Sequence, residues 1–320
     1  MTSMRSFKIL VCTARKYPVA EANVRDVLKC AILPVLCGTL FLLGACGTLP
    51  DSNDLLPEGT FTQGIEGPAT DGAGNVYAVN FAEEGTIGQV TPDGQARLYL
   101  TLPEGSVGNG IAFGPDGHMY VADYVRHRVY RVPAGGDAPE VWAEDDRMNQ
   151  PNDLCVHPDG SVYLSDPNWS DNTGNLWRVR PDRTVELLES GMGTTNGIAL
   201  SPNQRYLYVN ESVQRAIWRY DMDPGGGVRN KTLFHKFEDF GLDGMRCDRA
   251  GNLYVARYDK GTVVVLSPDG GVLKEYRLSG KKPSNLTFAG PDGKTVYVTL
   301  ADRGCFEVFE APHPGAAFSE

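Results

Sequence analysis

After about residue 50, apolar residues do not recur at helical spacing; they alternate with polar ones in short runs bounded by turns rich in Gly, Asp and Pro. The recurring phrase is a turn followed by an alternating strand: DGAGNVYAVN, GPDGHMYVAD, HPDGSVYLSD, SPNQRYLYVN, DRAGNLYVAR and GPDGKTVYVT. Aligned on Tyr77, Tyr120, Tyr163, Tyr208, Tyr254 and Tyr297, the phrases repeat every 43 to 46 residues or so, about the length of one four-stranded propeller blade. A short apolar run precedes each phrase and a second strand follows it, such as HRVYRV, GNLWRV, AIWRY or GTVVVL, which makes each repeat a set of antiparallel hairpins. The pattern predicts an all-β fold, a six-bladed β-propeller with four-stranded blades over residues 59–312, followed by a tail at 313–320. Gly59 to Gln63 is expected to supply an edge strand that closes the ring. The two longest repeats, between Tyr163 and Tyr254, predict longer loops in blades three to five.

A different pattern precedes the repeats. Cys30 to Cys46 reads CAILPVLCGTLFLLGAC, an apolar run behind Arg25 and Lys29 that has the form of an export signal and is short for a spanning helix. Its end, Leu43-Gly44-Ala45-Cys46, resembles the lipobox of bacterial lipoproteins, in which the cysteine becomes the lipidated first residue. Residues 1–45 are therefore expected to be a signal peptide, Cys46 the lipidation site and 46–58 a tether. This puts the protein on the periplasmic side of the outer membrane or at the cell surface, with the membrane touched through the anchor alone. An ordinary signal peptide and a plain membrane anchor are the alternatives. The stretch before Val24 has no pattern of its own, and initiation at Val24 would leave a short basic leader, VRDVLK.

Composition narrows the partners. Gly and Pro number 37 and 21 among 320 residues, as a turn-rich β protein requires. A net charge of −10 argues against a phosphate-binding surface, so nucleic acid is not an expected partner. Beyond Cys46 the cysteines are Cys155, Cys247 and Cys305, an odd number without CxxC spacing, which supports neither a disulfide framework nor a zinc site. The scattered histidines do not assemble a triad, and no Gly-rich phosphate loop precedes a helix.

Chemistry enters at one register position. Eleven residues before Tyr77, Tyr120, Tyr163 and Tyr254 stand Glu66, Asn109, Asn152 and Asp243; twelve before Tyr208 and Tyr297, whose turns carry one residue more, stand Asn196 and Asn285. Inner strands of a propeller surround its axis, so these six converge on the mouth of the central channel as a ring of oxygen donors. An Asn or Asp at one strand entry is commonly explained by bonds to nearby backbone. Six in register, with two carboxylates near one axis, call for a cation between them. Oxygen-only donors suit Ca²⁺ ahead of Mn²⁺ or Mg²⁺, and Zn²⁺ least, with one ion expected. A second ring three residues after each tyrosine, Asn80, Asp123, Asp166, Glu211, Arg257 and Leu300, is expected to wall a pocket with loop residues such as Tyr124 and Trp169. Its one cation, Arg257, either receives negative charge from a substrate or pairs with a neighbouring acid.

At Glu66-Gly67-Pro68, Asn152-Asp153, Asn196-Gly197 and Asp243-Gly244 the chain resembles the regucalcin (senescence marker protein), gluconolactonase and luciferin-regenerating-enzyme family, over residues 60 to 310. The resemblance implies a propeller with one divalent ion in its channel and hydrolysis of sugar or other lactones. It implies metal ligation by Glu66, Asn196 and Asp243, with Asn152 contacting metal or substrate and Asp153 an acid beside it. For the family's sugar-contacting arginine the segment VWAEDDRMNQ offers only Arg147, which leaves the particular lactone open. The expected function is a metal-dependent lactonase, monomeric, with Asp153 or Asp243 as general base and Asn109, Asn285, Arg257, Tyr124 and Trp169 around the substrate. A phosphotriesterase-like hydrolase on the same metal site and a non-catalytic, surface-tethered binding propeller are the alternatives. The anchor is checked in cells: Cys46→Ser is expected to abolish palmitate labelling and processing, and a variant still processed and membrane-bound contradicts it.

Overall fold

The alternation becomes 24 strands in the computed structural model, which describes residues 49–317; the expected signal peptide and Cys46 lie outside the described residues. A two-residue strand, β1 (Asn53–Asp54), comes first. Blade one is β2 (Phe61–Thr70), β3 (Val76–Phe81), β4 (Thr86–Val90) and β5 (Ala96–Thr101); blade two is β6 (Gly108–Phe113), β7 (Met119–Asp123), β8 (Arg128–Val132) and β9 (Glu140–Glu144). Blade three is β10 (Leu154–Val156), β11 (Val162–Asn168), β12 (Thr173–Val179) and β13 (Val185–Met192); blade four is β14 (Thr195–Leu200), β15 (Tyr206–Glu211), β16 (Ala216–Met222) and β17 (Val228–Lys236). Blade five is β18 (Met245–Cys247), β19 (Leu253–Arg257), β20 (Thr262–Leu266) and β21 (Val272–Arg277), and blade six begins with β22 (Pro283–Ala289), β23 (Thr295–Leu300) and β24 (Cys305–Glu310). Neighbouring strands within each blade are antiparallel, and the inner strands β2, β6, β10, β14, β18 and β22 each pack on the inner strands of the blades to either side, closing a six-bladed β-propeller. The described residues contain no helix.

The second strand of a blade is sandwiched between two blades, so both of its faces are apolar rather than one: β7 and β19 are buried at every position. The aligned tyrosines fill the gaps between blades. Tyr77 meets Phe113 of blade two at 5.3 Å between ring centroids, and Tyr254 meets Phe288 of blade six at 5.1 Å. The turn before the tyrosine strand is built by an acid in five blades and by Asn203 in blade four: in blade one Asp71 Oδ1 accepts the N–H groups of Ala73 and Asn75, both at 2.9 Å, while Gly74 takes the left-handed φ of 83°.

One expectation is corrected and one is extended. The closing strand is β1, inside the stretch expected as tether: it pairs with β24 as Asn53↔Val308 and Asp54↔Glu307 and completes blade six. Phe61 to Gln63, expected at that edge, instead open the inner strand β2. Ser52 Oγ donates to Glu307 at 2.6 Å, Arg303 pairs with Asp54 at 2.6 Å and Glu58 at 2.7 Å, and Leu56 is buried in the core beside Phe306. The extra residues of the longer repeats lengthen strands as well as loops: β11 and β12 have seven residues each and β17 nine, against five for β7 and β8, and the connection 237–244 has eight residues against six at 102–107. The tail is docked as far as it is described, with Ala316 N–H donating to Cys247 O at 3.0 Å. Starting the chain at residue 58 rather than 49 removes β1 and Leu56; a loss of buried apolar area worth ~2 kcal/mol or more is expected to lower Tm by about 5 °C or more, read by thermal denaturation. Equal Tm values for the two chains would show that β1 contributes nothing to closure.

Candidate metal centre

Each inner strand enters the channel from the same end, which brings Glu66, Asn109, Asn152, Asn196, Asp243 and Asn285 around the axis. Close approach is possible because glycine follows four of the six ring members, at 67, 110, 197 and 244. A Cβ on Gly244 would collide with the Asn285 side-chain amide, and Gly67, at φ 59°, leaves room for the Asn109 carbonyl. Backbone bonds then tie neighbouring blades together at the ring: Gly110 N–H donates to Asn152 O at 2.7 Å, and Gly244 N–H donates to Ser284 O at 2.8 Å.

The six are not equivalent. Asn285 is fully buried, its Nδ2 donating to Glu66 Oε2 at 3.0 Å and its Oδ1 accepting the Leu286 N–H at 2.8 Å. It therefore supports Glu66 and offers nothing to a substrate. Asn109 turns its Nδ2 to Asn152 O at 3.2 Å. Glu66 also accepts the N–H of Gly67, and the Asp243 carboxyl lies close enough to Asn196 and to Glu66 for both to act on it. Asn152 Oδ1 and Asn196 Oδ1, by contrast, are buried with no hydrogen-bond partner among the described residues. An orphaned buried carbonyl oxygen is costly unless something binds it. Two such oxygens beside two carboxylates fit a hard cation, whose donor requirements are oxygen atoms.

Charge at the axis has the same implication. Burial, and then the neighbouring Asp153 carboxylate, push the Glu66 carboxyl up to about 7. Asp243 is raised well above the usual carboxylate range by burial and by the charges of Glu66 and Asp153. Without a cation these groups hold protons that isolated carboxylates would have released. Asp243 is only half-buried, whereas Glu66 is 8 % exposed, so Asp243 is the more accessible of the two acids.

The other sequence-derived candidates fall elsewhere. Asp153, beside Asn152, is 1 % exposed and engaged by Arg246, whose Nη1 and Nη2 lie 3.0 and 3.3 Å from its two oxygens; its Oδ1 also accepts the Leu154 N–H at 2.9 Å. Arg257, also 1 % exposed, donates to Asp239 Oδ1 at 2.8 Å and Asp239 O at 2.6 Å, with its guanidinium 3.7 Å from the Phe237 ring centroid. That is the ion-pair alternative, and it removes Arg257 from the substrate. The second ring as a whole anchors loops instead of walling a pocket. Asp166 accepts the N–H groups of Asn149 and Gln150 at 2.7 and 2.6 Å and the Trp177 indole N–H at 2.8 Å, and Glu211 accepts Gly193 N–H at 2.9 Å. These two buried carboxylates are satisfied mainly by backbone donors, and Asp123 Oδ1 likewise accepts the Val125 and Arg126 N–H groups at 3.1 and 3.2 Å, although its Oδ2 is buried without a hydrogen-bond partner among the described residues. Arg147 is bound to Asp145 at 2.6 Å and is largely exposed. Tyr124 lies beside Gln150 and is half-buried, and Trp169 sits in the turn between β11 and β12.

Sequence reasoning missed Arg246, Tyr258 and Lys282. Tyr258 follows β19 at the mouth, its phenol pushed up to about 12 by burial and then by the Asp243 charge, and the Lys282 ammonium lies 5.5 Å from its ring centroid. Arg246 carried a signal, since it is a charge inside the otherwise apolar triplet of β18; Tyr258 carried none.

Comparison with known proteins agrees with this architecture. The profile of the SMP-30/gluconolactonase/LRE-like region matches residues 65–302. A gluconolactonase of Zymomonas mobilis is 29% identical over 274 residues, covering 75% of this chain and 76% of its own. A diisopropyl-fluorophosphatase of Loligo vulgaris is 26% identical over 280 residues, covering 77% and 88%. Among solved structures, a calcium-binding protein, regucalcin, from Agrobacterium tumefaciens superposes with a TM-score of 0.72 over 85% of this chain and 96% of that one; at 21% identity the likeness is one of fold.

The raised carboxyl groups set a pH dependence. Folded Glu66 and Asp243 keep protons that the unfolded chain releases near 4.5 and 3.8, so the folded state binds more protons above those values. Chelator-treated protein is therefore expected to lose thermal stability as pH rises from about 4.5 through about 7. Added Ca²⁺ is expected to raise Tm more at pH 8 than at pH 5; an equal rise at both, or none, would contradict this arrangement of charge.

Proposed function

The chain belongs to the SMP-30/gluconolactonase/LRE-like family, and on that footing we propose that it is a lactone hydrolase working with one bound divalent cation, Ca²⁺ by its donor chemistry. One observation carries the reading: a buried and a half-buried carboxylate, both with raised pKa, and two unpartnered amide oxygens meet on one axis. Glu66, Asn152, Asn196 and Asp243 would hold the ion, which when bound supplies a Lewis acid to polarise the lactone carbonyl and offset the charge that grows on its oxygen. Asp243, the more accessible of the two acids, takes a proton from water as the water oxygen bonds to the acyl carbon. The ring C–O bond then breaks, the proton passes to the departing oxygen, and the product is a hydroxy acid. Asp153 has both oxygens on Arg246 and holds Asn152 in place instead of moving protons. Tyr124, Trp169 and Tyr258 border the mouth and are the side chains against which a small ring would lie. With Cys46 lipidated, the reaction would take place outside the cytoplasm.

The test is a panel of aldonolactones assayed after metal stripping and after return of Ca²⁺, Mn²⁺ or Zn²⁺. Activity is expected to vanish with chelation and to recover best with Ca²⁺, and Asp243→Asn is expected to lower kcat by about 10²–10⁴ with the fold retained by circular dichroism. Full activity in stripped protein removes the metal from the mechanism. Hydrolysis of diisopropyl fluorophosphate without lactone turnover moves the function to phosphotriesters, and ligand binding without any turnover leaves a binding propeller.

A further inference from the structure

Read in register, the inner strands differ from one another at two positions close to the ring. The residue after each ring member is Gly67, Gly110, Asp153, Gly197, Gly244 or Leu286, and the third residue is Ala69, Ala112, Cys155, Ala199, Arg246 or Phe288. The one acid of the first set and the one cation of the second are partners, although they belong to blades three and five. Arg246 meets both oxygens of Asp153 and donates besides to its own strand at Met245 O, 2.7 Å away. Buried ion pairs contribute little net stability compared with apolar packing, so the fold alone has no need of this one. Asp153 would by itself be a third negative charge beside Glu66 and Asp243, and both of those acids respond to it.

We propose that Arg246 sets the charge of the metal seat: by cancelling Asp153 it leaves a net charge of minus two from Glu66 and Asp243, which matches the seat to a divalent rather than a trivalent cation. The inference rests on the metal reading above and adds to it the residue that tunes selectivity. Arg246 is a positioning and charge-balancing residue, lining the far end of the channel beneath the ring, where it borders a cavity of about 1010 Å³ together with Cys155 and Cys247. A unit charge added or removed there acts on a bound ion in proportion to the ion's own charge. Within about 10 Å and at an effective dielectric near 20, this changes the affinity of a trivalent relative to a divalent ion by about tenfold or more.

The experiment is calorimetric titration of the metal-stripped protein with CaCl₂ and separately with TbCl₃ at pH 8, with the ratio of Kd for Ca²⁺ to Kd for Tb³⁺ as the readout. Arg246→Met is expected to raise that ratio by about tenfold or more, and Asp153→Asn, which leaves Arg246 uncancelled, to lower it by a similar factor. The double variant Asp153→Asn/Arg246→Met is expected to return to within about threefold of the starting ratio. If Arg246→Met does not fold, Asp153→Asn and the double variant still decide the matter through the opposite shift and its reversal. A purely structural role would weaken both ions alike and leave the ratio unmoved, which overturns the inference while the metal reading stands. Uptake of neither ion by the unaltered protein overturns the metal reading itself.

Discussion

Glu66 and Asp243 lie close enough on the axis of a propeller for the Glu66 charge to raise the Asp243 carboxyl, and much of the surrounding structure answers that repulsion. Two like charges so close and so dry cannot both be ionised without compensation. The chain provides part of it in amide groups, Asn285 donating to Glu66 and Asn196 acting on Asp243, and leaves the Asn152 and Asn196 side-chain oxygens buried with no partner among the described residues. The remainder fits the cation seat proposed above.

That seat exists because six inner strands approach more closely than ordinary side chains allow. Glycine at 67, 110, 197 and 244 lets the backbone of one blade press against the ring member of the next, and backbone bonds such as Gly244 to Ser284 fasten the approach. Rigidity at the axis is in turn held from outside. Aromatic contacts between blades fix the spacing, and β1 with Arg303 closes the circle, so the distances among ring members depend on residues at the rim. A donor set spread over four blades keeps its geometry only if the blades cannot slide.

Around the mouth, buried charges serve the loops. Asp166 gathers the N–H groups of the loop that leads into Asn152, and Arg257 fastens the loop before Asp243 through Asp239. Ring residues are thus reached by loops that are themselves tied down, which gives a catalytic mouth little freedom to collapse onto two unscreened carboxylates. It also explains why charged residues near a site need not touch substrate: a charge excluded from water is satisfied first by whatever backbone lies nearest.

The sequence by itself determined the blade count, the tyrosine strands and the six ring positions, since period, alternation and register are properties of order along the chain. It also carried the resemblance that led to lactone chemistry. It left β1 hidden within an apparent tether, because a two-residue strand has no periodicity and its pairing with β24 joins opposite ends of the chain. Only the tertiary structure decided that Arg257 belongs to Asp239, that Asn285 is a donor to Glu66 while Asn152 and Asn196 keep free oxygens, and that Asp153 is answered by Arg246 across the axis. Such outcomes depend on distances between blades, and those distances are set by packing and ring closure rather than by the spacing of residues along one strand.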